Sequence, residues 1–169
     1  MADPDAPARS RLVTWDDPMA TAAAGRGMTG LAFLTAMTEG SLPPPPIMRL
    51  MQMAPVSVEE GSVTFRAEPD ESQYNPIGAV HGGVVCTLLD SVVGCAVHTT
   101  LPLGFGYTSV EIKVSYLRAV SSSGGALTAT GTVVKPGRRI AFAEGSVTDE
   151  QDRLVATASS TLLVFPLPD

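Results

Sequence analysis

The sequence is poor in the residues that build several kinds of special chemistry. Of its 169 residues, 2 are cysteine and 2 are histidine. Cys86 and Cys95 lie nine residues apart in one apolar run. That is about two and a half helical turns, too far to bridge along one straight helix. The two thiols therefore read as small buried hydrophobes of a reducing compartment, and the expected location is cytoplasmic. Lysine and arginine total 11 against 17 acidic residues, net charge −6, and they form no run. The basic face of a nucleic-acid binder is missing, although a few local arginines still suffice for an anionic small molecule. The opening MADPDAPARSRLVTWDDP has no apolar core of signal-peptide type, and its acids disfavour an organelle transit sequence. The longest apolar run, Gly82 to Val97, is short for a bilayer span and contains an acid. No membrane and no nucleic acid are expected among the partners.

What is present fits one domain with a real core plus extra chain at one end: 44% of the residues are hydrophobic. Residues 1 to about 27, rich in Ala, Pro, Asp and Gly, are expected to be mobile or draped on the surface. Met28 to Glu39 carries Leu31, Leu34 and Met37 at helical spacing, with Gly40 just beyond. Pro43 to Pro46 read as a stiff polyproline spacer, and Ile47 to Met53 as a helical turn leading into the first strand. The division is an N-terminal extension, 1–46, partly mobile with one short helix, and a domain at 47–169.

From there the pattern is β. Val63, Phe65 and Ala67 alternate with polar residues; so do Val110, Ile112, Val114 and Tyr116, the clearest half-buried strand. Three more strands are expected at Ala126–Val134, Ile140–Thr148 and Leu154–Phe165. Their short connections predict an antiparallel meander. Between the first strands and the rest lies GGVVCTLLDSVVGCAV, residues 82–97, with Asp90 as its only charge. A helix apolar all round is a buried helix, and an unpaired carboxylate there costs several kcal/mol. Asp90 is thus expected to face a cleft and to do chemistry. One curved sheet cannot cover such a helix alone, so a second subunit is expected to complete the cover.

Just upstream stands Asn75-Pro-Ile-Gly-Ala-Val-His81-Gly82-Gly83. With the helix it reads N-x-x-G-x-x-H-G-G-x-x-x-x-L-x-D, which resembles the signature of the PaaI-type hotdog-fold acyl-CoA thioesterases. Tyr107 to Arg118 resembles that family's strand after the helix, and Lys135 to Asp149 its hairpin around a Gly-Arg turn. The resemblance runs over about residues 47–165. It implies an α+β hotdog fold: a five- or six-stranded antiparallel sheet wrapped around one long central helix, here with an N-terminal helical extension. It also implies hydrolysis of acyl-CoA to free acid and coenzyme A, no cofactor, no metal, and a homodimer or dimer of dimers with its active sites at the dimer interface. By the same resemblance Asp90 is the catalytic carboxylate, as general base or nucleophile. The Gly82 N–H polarises the thioester carbonyl, Asn75 positions substrate or water, and Ser109 helps hold the attacking water.

Physical chemistry fits these roles. A helix N-terminus presents unpaired N–H donors at the positive end of the dipole, and one donor aimed at an oxyanion is worth about 10²–10³ in rate. Asp90 lies eight residues beyond Gly82, about 12 Å along the axis, far for one carbonyl to touch both; the resemblance implies a site shared between two chains, with which this spacing is compatible. His81 reads either as a cap that orients the Gly-Gly loop or as a direct catalytic group. Gly83, Arg118, Gly137, Arg138 and Arg139 are the candidate coenzyme A contacts, because a guanidinium grips phosphate with two bonds. A hotdog enoyl-CoA hydratase would need an aspartate where Gln73 stands and a histidine nearer to Asn75 than His81. A non-catalytic acyl-CoA-binding hotdog subunit would have no use for Asp90.

Overall fold

The computed structural model describes residues 8–121 and 124–168. Four helices, α1 (Pro18–Gly25), α2 (Gly30–Thr38), α3 (Pro46–Met51) and α4 (Gly82–Thr99), accompany six strands. The strands are β1 (Met53–Glu59), β2 (Ser62–Ala67), β3 (Phe105–Tyr116), β4 (Leu127–Lys135), β5 (Ile140–Thr148) and β6 (Leu154–Pro166). All pairs are antiparallel, and the sheet order is β1-β2-β4-β5-β6-β3. The expected meander holds for β4-β5-β6 and fails for β3. That strand pairs with β6 at the far edge, and β4 pairs with β2. The strands from before α4, β1 and β2, form one flank of the sheet and those from after it the rest, with β3 and β4 separated by β5 and β6.

Helix α4 runs from an N-cap at His81 to Thr100, two residues before Pro102, which cannot extend it. It touches all six strands. Val85, Leu88, Leu89, Val92, Val93 and Ala96 are sealed inside, at the 3–4 residue spacing of one helix face. From the sheet, Val63, Phe65, Ala129, Ala143, Val147 and Leu162 meet them. Contact is close enough that a Cβ on Gly131 of β4 would stand 2.3 Å from the Val92 carbonyl oxygen. By length and composition α4 would pass as a membrane span, but it is the core helix of this sheet.

The N-terminal stretch holds two helices where the sequence suggests one. Asp17 caps α1 by accepting from Met19 N at 2.9 Å. The helix itself, PMATAAAG, has no apolar periodicity to betray it. Upstream, Arg11 reaches Asp70 and donates to the Leu50 carbonyl at 2.7 Å, and Arg9 pairs with Glu71. Residues 8–25 are thus tied to the domain; residues 1–7 lie outside the described residues. Pro46 opens α3, which shortens the proline spacer to Pro43–Pro45. A Cβ on Gly30 of α2 would overlap the His98 carbonyl oxygen at 1.8 Å, so α2 lies hard against the end of α4.

Strand β3 corrects one more expectation. Val110 is 58% exposed and off the core face. A β-bulge shifts the register between Ser109 and Glu111. Before it the inward residues are Phe105, Tyr107 and Ser109; after it they are Ile112 and Val114, while Tyr116 at the strand end is exposed. A bulge takes up one residue and re-aims its neighbours; here it turns Ser109 toward α4 in place of Val110.

Candidate active site

The side facing β3 is where α4 departs from the expected all-apolar cylinder. Gly83, Cys86, Thr87, Asp90 and Ser91 form a stripe that its own sheet leaves partly open. Thr87 Oγ1 donates to the Gly83 carbonyl at 2.9 Å and Ser91 Oγ to the Thr87 carbonyl at 2.8 Å, so both hydroxyls are satisfied on the helix. Asp90 is not. Among the described residues its one hydrogen-bond partner is Ser109, whose Oγ donates to Oδ1 at 2.7 Å. Both residues are half-buried. A hydroxyl bond to a carboxylate is short and strong, and this one joins the helix to the strand edge across the bulge.

One turn on, Tyr107 lies over Gly94, where a Cβ would come within 2.8 Å of its ring. Burial, with the neighbouring Cys95 and Asp90, pushes its phenol well above the ordinary range. Burial pushes the Cys95 thiol up to about 12, which leaves it inert. Both cysteines are free. Beyond Tyr107, the His98 ring lies tilted against it at 5.3 Å centroid distance, and Phe33 of α2 meets His98 edge-on at 5.8 Å. Burial holds the His98 imidazole below its ordinary value.

At the N-terminus of α4, His81 is a cap. Its Nδ1 accepts from Gly83 N at 2.8 Å, which requires the neutral ring. Gly83 N–H is therefore spent on the cap and is not free for a ligand. Among the described residues no acceptor is recorded for the Gly82 N–H. Tyr116, absent from the sequence candidates, donates its hydroxyl to the Gly82 carbonyl at 3.0 Å. Its ring lies where a Cβ on Gly82 would approach to 3.3 Å. Tyr116 ends β3, and the alternation that marks the strand does not mark its hydroxyl as part of the site. Asn75 shapes the preceding loop: its Oδ1 accepts from Ile77 N and Ala79 N, both at 3.1 Å. Its carbonyl oxygen holds its own loop, leaving the NH₂ for other partners.

The candidate coenzyme A contacts do not assemble within one chain. Arg118 follows β3, with its N–H on the Val155 carbonyl; Arg139 offers its carbonyl to Val164 N. Those two anchor points are nine residues apart along β6, about 30 Å. Arg118, Arg138 and Arg139 are all exposed. Gly137 serves the hairpin, because a Cβ there would overlap the Ile140 carbonyl oxygen at 1.9 Å. Among the described residues no three His, Cys, Asp or Glu side chains gather as a metal site.

The family model of the thioesterase superfamily matches residues 77–156, from the loop after Asn75 into β6. A Halobacterium salinarum protein is 34% identical over 111 residues, 61% of this chain and 72% of that one. The 1,4-dihydroxy-2-naphthoyl-CoA hydrolase of Listeria monocytogenes is 28% identical over 109 residues, covering 64% of this chain and 87% of its own. Among solved structures, a Streptococcus mutans protein bound to acetyl CoA superposes with a TM-score of 0.63 at 28% identity, over 69% of this chain and 91% of that one. The Escherichia coli PaaI protein shares the fold, with a TM-score of 0.70 at 17% identity over 83% and 99%. This chain belongs to the thioesterase superfamily, and is a thioesterase with the hotdog fold that the PaaI protein shares.

Proposed function

We propose that the protein hydrolyses acyl-CoA, with Asp90 as general base and the Gly82 N–H as the carbonyl-polarising donor. The observation that carries this reading is the Asp90–Ser109 pair, a carboxylate held at 2.7 Å on the open stripe of an otherwise sealed helix. Ser109 holds Oδ1 and leaves Oδ2 to take a proton. Water oxygen attacks the thioester carbon as its proton passes to Asp90. The carbonyl electron pair moves onto oxygen, where the Gly82 N–H stabilises it at the positive end of α4. Collapse of the adduct restores the C=O bond, breaks the C–S bond, and returns the proton from Asp90 to the leaving thiolate.

Gly82 and Asp90 of one helix are about 12 Å apart, so the reading places each thioester between Gly82 of one subunit and Asp90 of the other. Strand β3 supports this. It is a 12-residue edge strand with one unpaired side, and such edges seek a partner. Twofold pairing of two β3 strands is antiparallel. It would bring Arg118 of one subunit to the end where Arg138 and Arg139 of the other stand, which reunites the phosphate contacts that a single chain separates. Acyl-CoA substrate, dimer, a catalytic domain at 47–169 with an extension at 1–46, and the cytoplasmic location suited to two free thiols belong to this same proposal.

The test is a thiol-release assay over short, long and aromatic acyl-CoA thioesters. Wild type should turn over at least one of them. Asp90→Ala should lose about 10²–10⁴ in kcat on that substrate, with thermal unfolding unchanged. Near wild-type turnover by Asp90→Ala would remove Asp90 from the mechanism.

A further inference from the structure

We propose that Gln73 binds the substrate through its carboxamide, taking up an amide group of the pantetheine arm beside the thioester. This rests on the acyl-CoA reading above. Both polar atoms of the Gln73 side chain, Oε1 and Nε2, are buried, and neither has a hydrogen-bond partner among the described residues. Most buried polar side-chain atoms are partnered, and an orphaned pair calls for a reason. Stability would be served better by an apolar side chain of the same shape.

The position supplies that reason. Gln73 ends the short 3₁₀ turn Glu71–Gln73, and its carbonyl accepts from His81 N at 2.8 Å. The next pair inward, Tyr74 and Val80, forms an isolated antiparallel bridge. Gln73 therefore stands directly across from the residue that caps α4 and one residue from Gly82, the donor assigned to the thioester carbonyl. Antiparallel neighbours of this kind have Cα atoms about 5.5 Å apart, within reach of a glutamine side chain.

Chemistry selects the ligand. A phosphate or carboxylate would use Nε2 and leave Oε1 orphaned. An amide offers a carbonyl and an N–H together and can satisfy both atoms. In acyl-CoA the first polar groups beyond the sulfur are the pantetheine amides.

The test uses Gln73→Met, which keeps the length and removes both polar atoms, on the full-length protein with three substrates sharing one acyl group. These are the acyl-CoA, the N-acetylcysteamine thioester, which retains an amide, and the methyl thioglycolate thioester, which has none. The melting temperature of the free protein should rise by about 2–4 °C. KM for the two amide-bearing substrates should rise about three- to tenfold, the worth of one or two hydrogen bonds, with kcat little changed. KM for the amide-free thioester should not move. A lower melting temperature would overturn the proposal, because the amide would then be satisfied in the free protein. An equal rise in KM on all three substrates, no rise on any, or dissociation of the dimer in sedimentation would do so as well. Wild type that hydrolyses none of the three would instead sink the acyl-CoA reading, and this inference with it.

Discussion

The two faces of α4 follow different rules. One face, Val85, Leu88, Leu89, Val92, Val93 and Ala96, is sealed against the sheet. Its residues are interchangeable in kind, being apolar and of matching volume. The other face, Gly83, Cys86, Thr87, Asp90 and Ser91, stays partly open in the single chain. Its residues are particular: two hydroxyls fold back on the helix, and one carboxylate is held by a strand across the bulge. The same eighteen residues thus supply the core on one side and the chemistry on the other. Damage to the two faces should show in different measurements.

The sharpest contrast pairs Asp90→Ala with Leu89→Ala, neighbours on opposite faces. The first is the hundredfold-or-greater loss of turnover described above, at constant stability. The second should destabilise by about 2–5 kcal/mol through the cavity it leaves, read as a lower midpoint in urea unfolding. Its kcat at a temperature where it remains folded should stay near wild type. A Leu89→Ala enzyme that is stable but dead would erase the distinction between the faces. Next in size is Ser109→Ala. Loss of a hydrogen bond to a charged group is worth about 1.5–3 kcal/mol, so kcat should fall roughly ten- to hundredfold while KM changes little. If KM alone responds, Ser109 binds substrate and does not hold the carboxylate.

The smallest effect belongs to the far end of the helix. Burial holds the His98 imidazole below its ordinary value, so in the folded protein it resists protonation where the unfolded chain, at about 6.5, accepts it. The unfolded state then binds more protons, and stability must fall as pH drops below about 6.5, levelling off once the folded-state value is passed. Urea unfolding at pH 7.5 and 5.5 should show that decline. His98→Phe, which keeps a ring against Phe33 and Tyr107, should lose part of the slope. An unchanged slope in the variant would place the titration elsewhere.

Much of this was legible in the sequence, and the gaps have physical causes. Asp90 announced itself as the one charge in an apolar run, and Val63, Phe65 and Ala67 showed their face by alternation. Helix α2 was marked by Leu31, Leu34 and Met37. The site's loop was visible as a motif, from Asn75 through His81 to Gly82. Helix α1 was hidden because a run of alanines has no period. Val110 was misplaced because alternation assumes an unbroken ladder, and the bulge beside Ser109 breaks it. Tyr116 stood in the expected alternation, but no local pattern marks its hydroxyl as the partner of the Gly82 carbonyl. Strand order was beyond reach because the crossing from β3 to β4 depends on how the sheet closes around α4, a long-range property that no local window contains. Arg118 and the Arg138–Arg139 pair were all candidate coenzyme A contacts, and they sit at opposite ends of β6, a separation that depends on strand pairing and not on local sequence.

A site divided between two chains is tested most directly by subunit mixing. Asp90→Ala removes the base. Asn75→Ala removes the side chain that holds the loop leading to Gly82. Each homodimer should be inactive. Mixed by unfolding and refolding together, the two should regain up to about a quarter of wild-type activity, because half of randomly assorted dimers carry one intact site of two. Confirmed heterodimers that stay inactive would mean that each site is built within one chain, and the shared-site mechanism would be wrong.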